Sequence, residues 1–421
     1  MQSETQRRNF RNVQIDAIGV GLANAASPFL PVFLTRLEAT SFQVGLLTAM
    51  PAFTGLFLAI VIGNFLQRRR NIVPWFSFAR LLVISSYAMT GIAPFLVPRA
   101  YAVEAVLLIW AVATLPQTIV NVCFSVVMNA VAGPEGRYDL MSRRWSILGL
   151  TTSITVAVVG KVLDTIKFPL NYQLVFMGLS LGGLISFYFS SHIRLPDVEP
   201  PPRQVGLKLR DQIRAYIRLI GDQPAFVSFV ARRFVFMAGM ALSAPLFPLF
   251  YVREIHASDY WIGLINTAQS AILLFAYFFW ARQSRRLGSR WVLLPTTLFI
   301  GLYPALTALT HRVELLVVWA GLVGIFSAGL DLVFFDELMK TVPVEYSATF
   351  VSLAQSLTHF SSLVAPLIGT WLADLIGIRE GLFVSTAIRL TGFFLFALAG
   401  RVTRTSSPGV SEKASSDETA S

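Results

Sequence analysis

Apolar residues in this chain form long unbroken runs parted by short polar segments. They do not recur at the 3.6-residue period of a half-buried surface helix. Twelve such runs follow one another, over 12–34, 43–66, 72–97, 102–130, 144–166, 171–190, 225–252, 259–281, 291–310, 313–339, 348–376 and 381–401. A helix of about 20 residues crosses a hydrocarbon layer of about 30 Å, so each run predicts one membrane-spanning helix. Because the runs are continuous rather than alternating, a β-barrel is excluded. The expected fold class is an all-α membrane protein of twelve transmembrane helices.

The pattern also repeats. Pro28 to Arg36 reads PFLPVFLTR and Pro245 to Arg253 reads PLFPLFYVR, both P-x-x-P-x-F-x-x-R. Ala39 to Leu47 (ATSFQVGLL) matches Ala257 to Ile265 (ASDYWIGLI), with Gly45 opposite Gly263. Each copy leads through an apolar run to a basic cluster, Arg68, Arg69 and Arg70 in one and Arg285, Arg286 and Arg290 in the other. Such a duplication predicts two pseudo-symmetric six-helix halves. The expected divisions are an N-terminal bundle over 1–190, a cytoplasmic linker over 191–223, a C-terminal bundle over 224–401, and a disordered cytoplasmic tail over 402–421. Within the linker, 209–220 reads as an amphipathic helix with Arg210, Arg214 and Arg218 opposite its apolar face. Both a helix lying on the inner leaflet and a solvated linker helix fit that pattern.

Charge adds a direction. The chain carries a formal net charge of +11. Twenty-three of its 34 lysines and arginines fall in segments on the same side as the N-terminus, and six in the opposite loops. That is the positive-inside pattern, so both termini are expected in the cytoplasm of a cell (plasma) membrane protein, and the basicity implies no nucleic-acid partner. Arg7, Arg8 and Arg11 precede a run too long for a signal-peptide core, so no cleavable signal is expected. A single cysteine, Cys123, permits no internal disulfide, and the four histidines have no metal-ligand spacing.

Twelve spans in two related halves, a cytoplasmic central loop, and basic loops after spans two and eight resemble the major facilitator superfamily. Those loops in the family carry G-x-x-x-D-R-x-G-R-R. Here they read from Gly63 to Asn71 (GNFLQRRRN) and from Gln283 to Arg290 (QSRRLGSR), with Gln67 and Arg285 where the family aspartate would be. The resemblance implies that spans one, four, seven and ten line a central cavity, with two, five, eight and eleven beside them.

Polar residues inside these spans are then the candidates for binding, because a bilayer penalises each ionised group near its centre by about 2.5–3.5 kcal/mol. Asp331 and Ser327 share a face of span ten, and at an offset of 210 residues Asp331 aligns with Asn121, which follows Gln117 on span four. Asn24 and Ser27 on span one, Asn266 and Gln269 on span eight, and Gln355 and His359 on span eleven complete the substrate-binding set. Asp331 and His359 are the proton-coupling candidates. The alternatives are a structural ion pair between Asp331 and a buried arginine, and a neutral core histidine at 359. Asp16 and Arg233 occupy equivalent places in the two halves, which predicts a cytoplasmic gate with Arg232 and Asp336. Pro28, Pro31, Pro245 and Pro248 read as bends or static kinks in spans one and seven.

No enzymatic activity, cofactor or metal is expected. Gly178 to Gly182 matches G-x-S-x-G but lies inside an apolar span, where no strand–turn–helix elbow can form, and there is no P-loop. These features together predict a secondary transporter that moves a small organic solute by alternating access, with proton coupling through Asp331 or His359. A passive facilitator of the same fold, a non-transporting membrane sensor and a lipid or amphiphile translocator are the alternatives. The polar and phenylalanine-rich spans suit amphiphilic or weakly cationic solutes better than anions. The partners expected are a small-molecule substrate and membrane lipids, around a monomer.

Overall fold

The computed structural model describes residues 4–67, 69–195, 223–341 and 347–405. The amphipathic stretch over 209–220, Arg68 and the end of the tail lie outside the described residues. Each of the twelve apolar runs is helical. Span one is Glu4–Asn24 followed by Phe29–Arg36, span two Ser41–Gln67 and span three Val73–Leu96. Spans four and five lie in the helical stretch Ala102–Thr165, and span six is Leu170–Ser180 with Gly182–Ser191. Span seven is Pro224–Ser243, Leu246–Leu249 and a π-helical turn over Phe250–Glu254. Spans eight to twelve are Asp259–Leu287, Ser289–Ala308, Val313–Thr341, Ser347–Ile376 and Ile378–Thr405. Among the described residues, eleven helices are long and apolar enough to cross a membrane, and the eighth span, bent by 41°, makes twelve when its two parts are taken as one.

Local sequence sets the interruptions. Proline lacks the N–H that would extend the hydrogen-bond ladder and its ring crowds the preceding turn. Pro28 and Pro245 accordingly stand immediately before the second segments of spans one and seven, at matching points of the repeat. Gly288, at φ +87°, turns the chain directly from span eight into span nine, a backbone conformation that side chains disfavour.

In the first half, spans one, three and six pack together and against the stretch holding spans four and five. In the second, spans eight, nine and ten pack in sequence, while span seven lies against eleven and twelve. The halves meet along two seams, span two against eleven and span five against eight. Glycines let these seams close. A Cβ on Gly263 would sit 3.1 Å from the Gly160 Cα, and one on Gly45 would sit 3.0 Å from the Thr370 side chain.

The apolar core divides unevenly along the membrane normal. On the side away from the termini, one cluster joins both halves through Phe29, Phe33, Leu246, Phe250 and Ile262. On the terminus side there are two clusters. One is built by the first half around Phe10, Phe76 and Leu140, the other by the second half around Phe229, Phe334 and Phe396. Among the described residues, the apolar core is thus shared by the two halves on one side of the bundle and split between them on the other.

Candidate functional site

A cavity of about 620 Å³ lies against the first half, lined by Asn24, Ser27, Pro28, Tyr87, Trp110, Thr114, Gln117 and Asn121 and reached from span eight by Asn266. The break in span one presents Asn24 and Ser27 to this space, both exposed. On span four the i, i+4 spacing stacks two amides: Gln117 Nε2 donates to Asn121 Oδ1 at 3.1 Å. Asn266 Nδ2 donates to the Ile262 carbonyl at 2.8 Å. Thr114 is held by Thr54 at 2.7 Å, which ties span four to span two. Tyr87 and Trp110 meet edge to face with centroids 4.8 Å apart, and the indole N–H is spent on Thr90. Five of the residues expected at the site, Asn24, Ser27, Gln117, Asn121 and Asn266, are therefore brought together.

The second half carries the charge. Asp331 is exposed on span ten and accepts a hydrogen bond from the Tyr277 hydroxyl of span eight at 2.9 Å. Arg233 of span seven lies within electrostatic reach of Asp331 and faces the Phe334 ring. Ser327 and Gln269 are half-buried on spans ten and eight. Gln355 is exposed on span eleven, whereas the His359 ring packs on Gly55 of span two, where a Cβ would lie 3.1 Å away. His359 is thus a seam residue rather than part of the amide-lined wall.

The side with the shared apolar core is closed by polar bonds across the seam, and these repeat. Arg36 donates to Asp259 at 2.9 Å and to the Ala257 carbonyl at 3.0 Å. Arg253 donates to Ser41 at 3.0 Å and to the Ala39 carbonyl at 2.5 Å. Ser41 and Asp259 are matching positions of the repeat, as are Ala39 and Ala257. The carboxylates behind them also correspond at the 210-residue offset: Asp164 accepts from the Asp259 N–H at 2.9 Å, and Asp374 accepts from the Ser41 hydroxyl at 2.5 Å. Tyr172 adds a 2.6 Å bond to Asp259.

In this conformation Asp16, Arg232, Arg233 and Asp336, expected to form a cytoplasmic gate, do not meet across the cavity. Asp16 is fully buried in the first half, where Arg80 grips both its oxygens at 2.5 Å, Ser186 donates at 2.6 Å and Arg144 stands at 3.7 Å. Two guanidiniums of its own bundle thus hold the Asp16 carboxylate. Arg232 bonds back to Ser228 on its own helix, and Asp336 pairs with Lys340 at 2.7 Å. Among the described basic-loop residues, Arg69 stacks on Phe65 and Trp75, while Arg70, Arg285, Arg286 and Arg290 are exposed.

Sequence reasoning missed Tyr87 and Trp110, because aromatic residues in an apolar span give no signal apart from lipid-facing ones. It also missed the roles of Arg36 and Arg253, although both end the repeated motif. Their recurrence at matching positions was the available clue. Among the described residues, no group of three His, Cys, Asp or Glu side chains is placed to hold a metal ion.

The Major Facilitator Superfamily profile matches residues 231–419. Multidrug resistance protein MdtG of Proteus mirabilis (strain HI4320) is 27% identical over 164 residues, which span 38% of this chain and 40% of that relative. Among solved structures, a variant of the nucleoside transporter NupG superposes with a TM-score of 0.70 at 12% identity, covering 93% of this chain and 99% of that one. A bacterial homologue of the iron transporter ferroportin, in its inward-facing state, gives 0.69 at 16% identity over 94% and 99%. A bacterial metal transporter gives 0.66 at 17% identity over 95% and 100%.

Proposed function

We propose that this chain is a member of the major facilitator superfamily, whose profile matches its C-terminal half and whose fold it resembles, and that it is a secondary transporter that carries a small organic solute by alternating access. One observation carries the reading: a polar cavity along the first half, reached by Asn266 of the second, lies in a bundle whose described apolar core is shared by the halves on one side and split between them on the other. Rocking about the glycine-lined seams would move the closure from one side to the other. The bias of basic residues toward the terminus side supports a cytoplasmic placement of both termini in the plasma membrane. In that orientation the chain stands inward-facing, with the arginine bonds closing the outer side. The protein would work as a monomer, with lipids around it as its other partner.

Asp331 is the favoured proton carrier. It is an exposed carboxylate in a membrane span, held by one tyrosine hydroxyl and faced by Arg233. Asp16, clamped by two arginines, serves as a structural counter-ion. Amide and hydroxyl groups along the cavity favour an organic solute over a bare metal ion, which would want carboxylate, thiolate or imidazole ligands.

Reconstitution tests this. Purified protein in liposomes is offered neutral, cationic and anionic labelled solutes, with and without an imposed pH gradient. Saturable uptake raised by the gradient and lost in Asp331→Asn is the expected outcome. Uptake indifferent to the gradient makes the chain a passive facilitator, and binding without uptake of any solute makes it a sensor.

A further inference from the structure

From the make-up of the cavity wall we infer that its occupant is an uncharged solute that carries a ring and several hydrogen-bonding groups. This deepens the transport reading above and rests on it for the site. Along the first-half wall and Asn266, the side chains that line the cavity are amides, hydroxyls, aromatic rings and apolar groups, and none is Asp, Glu, Lys, Arg or His. A charged group held against this wall would lose part of its hydration and meet no opposite charge on it, which costs more than desolvating a neutral polar group.

The amides, by contrast, offer both halves of a hydrogen bond. The Gln117–Asn121 bond uses one donor and one acceptor, which leaves the Gln117 carbonyl and an Asn121 N–H for a ligand. Asn266 spends its N–H on the helix backbone and keeps its carbonyl. Exposed Asn24 adds a complete amide, and Ser27 a hydroxyl that lies in reach of Tyr87. Donors and acceptors thus alternate around one space, which suits hydroxyl, amide or heterocyclic nitrogen groups that both give and take a proton. A site of this kind discriminates, because an analogue without those groups covers the amides and leaves them unpaired.

The aromatic pair supplies the remaining specificity. Trp110 has its N–H bonded to Thr90, so it meets the cavity as an apolar surface rather than as a donor. Tyr87 braces it edge-on. A flat ring packed on that surface gains dispersion and stacking energy that an open-chain polyol of equal polarity does not. The volume of about 620 Å³ falls within the range of roughly 300–1,000 Å³ typical of small-molecule sites.

The test pairs uncharged ring solutes with charged relatives that keep the ring. Purified full-length protein in detergent is screened by thermal shift and by calorimetric titration against uridine and uridine monophosphate, glucose and glucuronate, and benzamide and benzamidine. Uncharged ring compounds should bind and their charged partners should not. The hit should weaken by about tenfold or more in both Asn121→Ala and Trp110→Ala, as expected for losing one buried hydrogen-bond or stacking contact. Asn121→Asp should abolish the neutral hit while the protein keeps its unliganded melting temperature within a few degrees, which separates lost recognition from lost folding. Tighter binding of a charged partner, a hit untouched by both alanine variants, or no binding by any uncharged ring compound overturns the inference. The two readings fail separately. Neutral compounds that bind but never enter proteoliposomes sink transport and leave the pocket chemistry standing, whereas saturable uptake of a charged solute alone does the reverse.

Discussion

Arg36 and Arg253, at matching positions of the internal repeat, reach across the seam in opposite directions, and each donates to the main-chain carbonyl of the alanine that opens the other copy's flanking segment. The side-chain partners differ. Arg36 meets the carboxylate of Asp259, whereas Arg253 meets the hydroxyl of Ser41, which passes the charge on to Asp374. The closed side is thus held by two arms of one design and unequal strength.

Removing those arms should release the closure. A hydrogen bond to a charged group contributes about 1.5–3 kcal/mol, so the Arg36→Ala/Arg253→Ala double variant should shift the population toward the state open on that side by tenfold or more. Arg36→Ala alone should do more than Arg253→Ala, because it also strands the Asp259 carboxylate. Spin labels at Thr40 and Ser258 report the separation, and Cys123, being buried, leaves little background labelling. An unchanged distance distribution in the double variant would assign the closure to the apolar cluster alone.

The Asp16 cluster should behave as structure. Breaking a buried ion pair by removing one partner costs about 3–5 kcal/mol, so Asp16→Asn and Arg80→Leu should each lower the unfolding temperature markedly. Exchanging the charges in Asp16→Arg/Arg233→Asp should not rescue either single variant, since the two side chains sit in separate bundles with separate partners. Recovery of stability or uptake in the double would show that they meet in another conformation.

The glycine seams should tolerate no side chain while the closed side stays closed. At Gly263 a Cβ would meet the Gly160 Cα and the Val156 carbonyl, both at 3.1 Å. Overpacking of this kind costs about 1–3 kcal/mol. Gly263→Ala should therefore widen the same spin-label distance even with both arginines in place. Gly288→Ala, in a turn with nothing near its Cβ, should strain only the local backbone.

Proton coupling should follow the hydrogen bond as well as the carboxylate. Tyr277→Phe removes the donor that holds Asp331 and leaves the acid in place. Solute-induced proton uptake measured with a pH-sensitive dye should vanish in Asp331→Asn and persist in Tyr277→Phe with its pH midpoint displaced. Equal loss in both would mean that the tyrosine itself relays the proton.

Much of the architecture was legible before any coordinates. Twelve continuous apolar runs and a repeated P-x-x-P-x-F-x-x-R are one-dimensional signals, because span length is set by bilayer thickness and the repeat by duplication. The span-four amides were legible for a related reason: polar groups stand out where most neighbours are apolar. What pairs with what was not. Asp16 and Arg233 fall at equivalent positions, and equivalence under the pseudo-two-fold suggested that they meet. The partner of a buried charge, however, is chosen by which helices of its own bundle lie beside it, and here that is Arg80 of span three. Tyr87 and Trp110 stayed hidden because the chain is rich in aromatic residues and only packing separates a cavity wall from a lipid-facing one.

The use of main-chain acceptors by Arg36 and Arg253 has a bearing on how this protein tolerates change. A carbonyl persists through any substitution of the residue that bears it, so positions 39 and 257 can drift in side chain without erasing half of each contact. Mutational load at the closure then falls on two arginines and on the local turns that aim the carbonyls. Random mutagenesis scored by conformational bias should accordingly return hits at those two codons and in the turn geometry around them, and few at the alanines themselves.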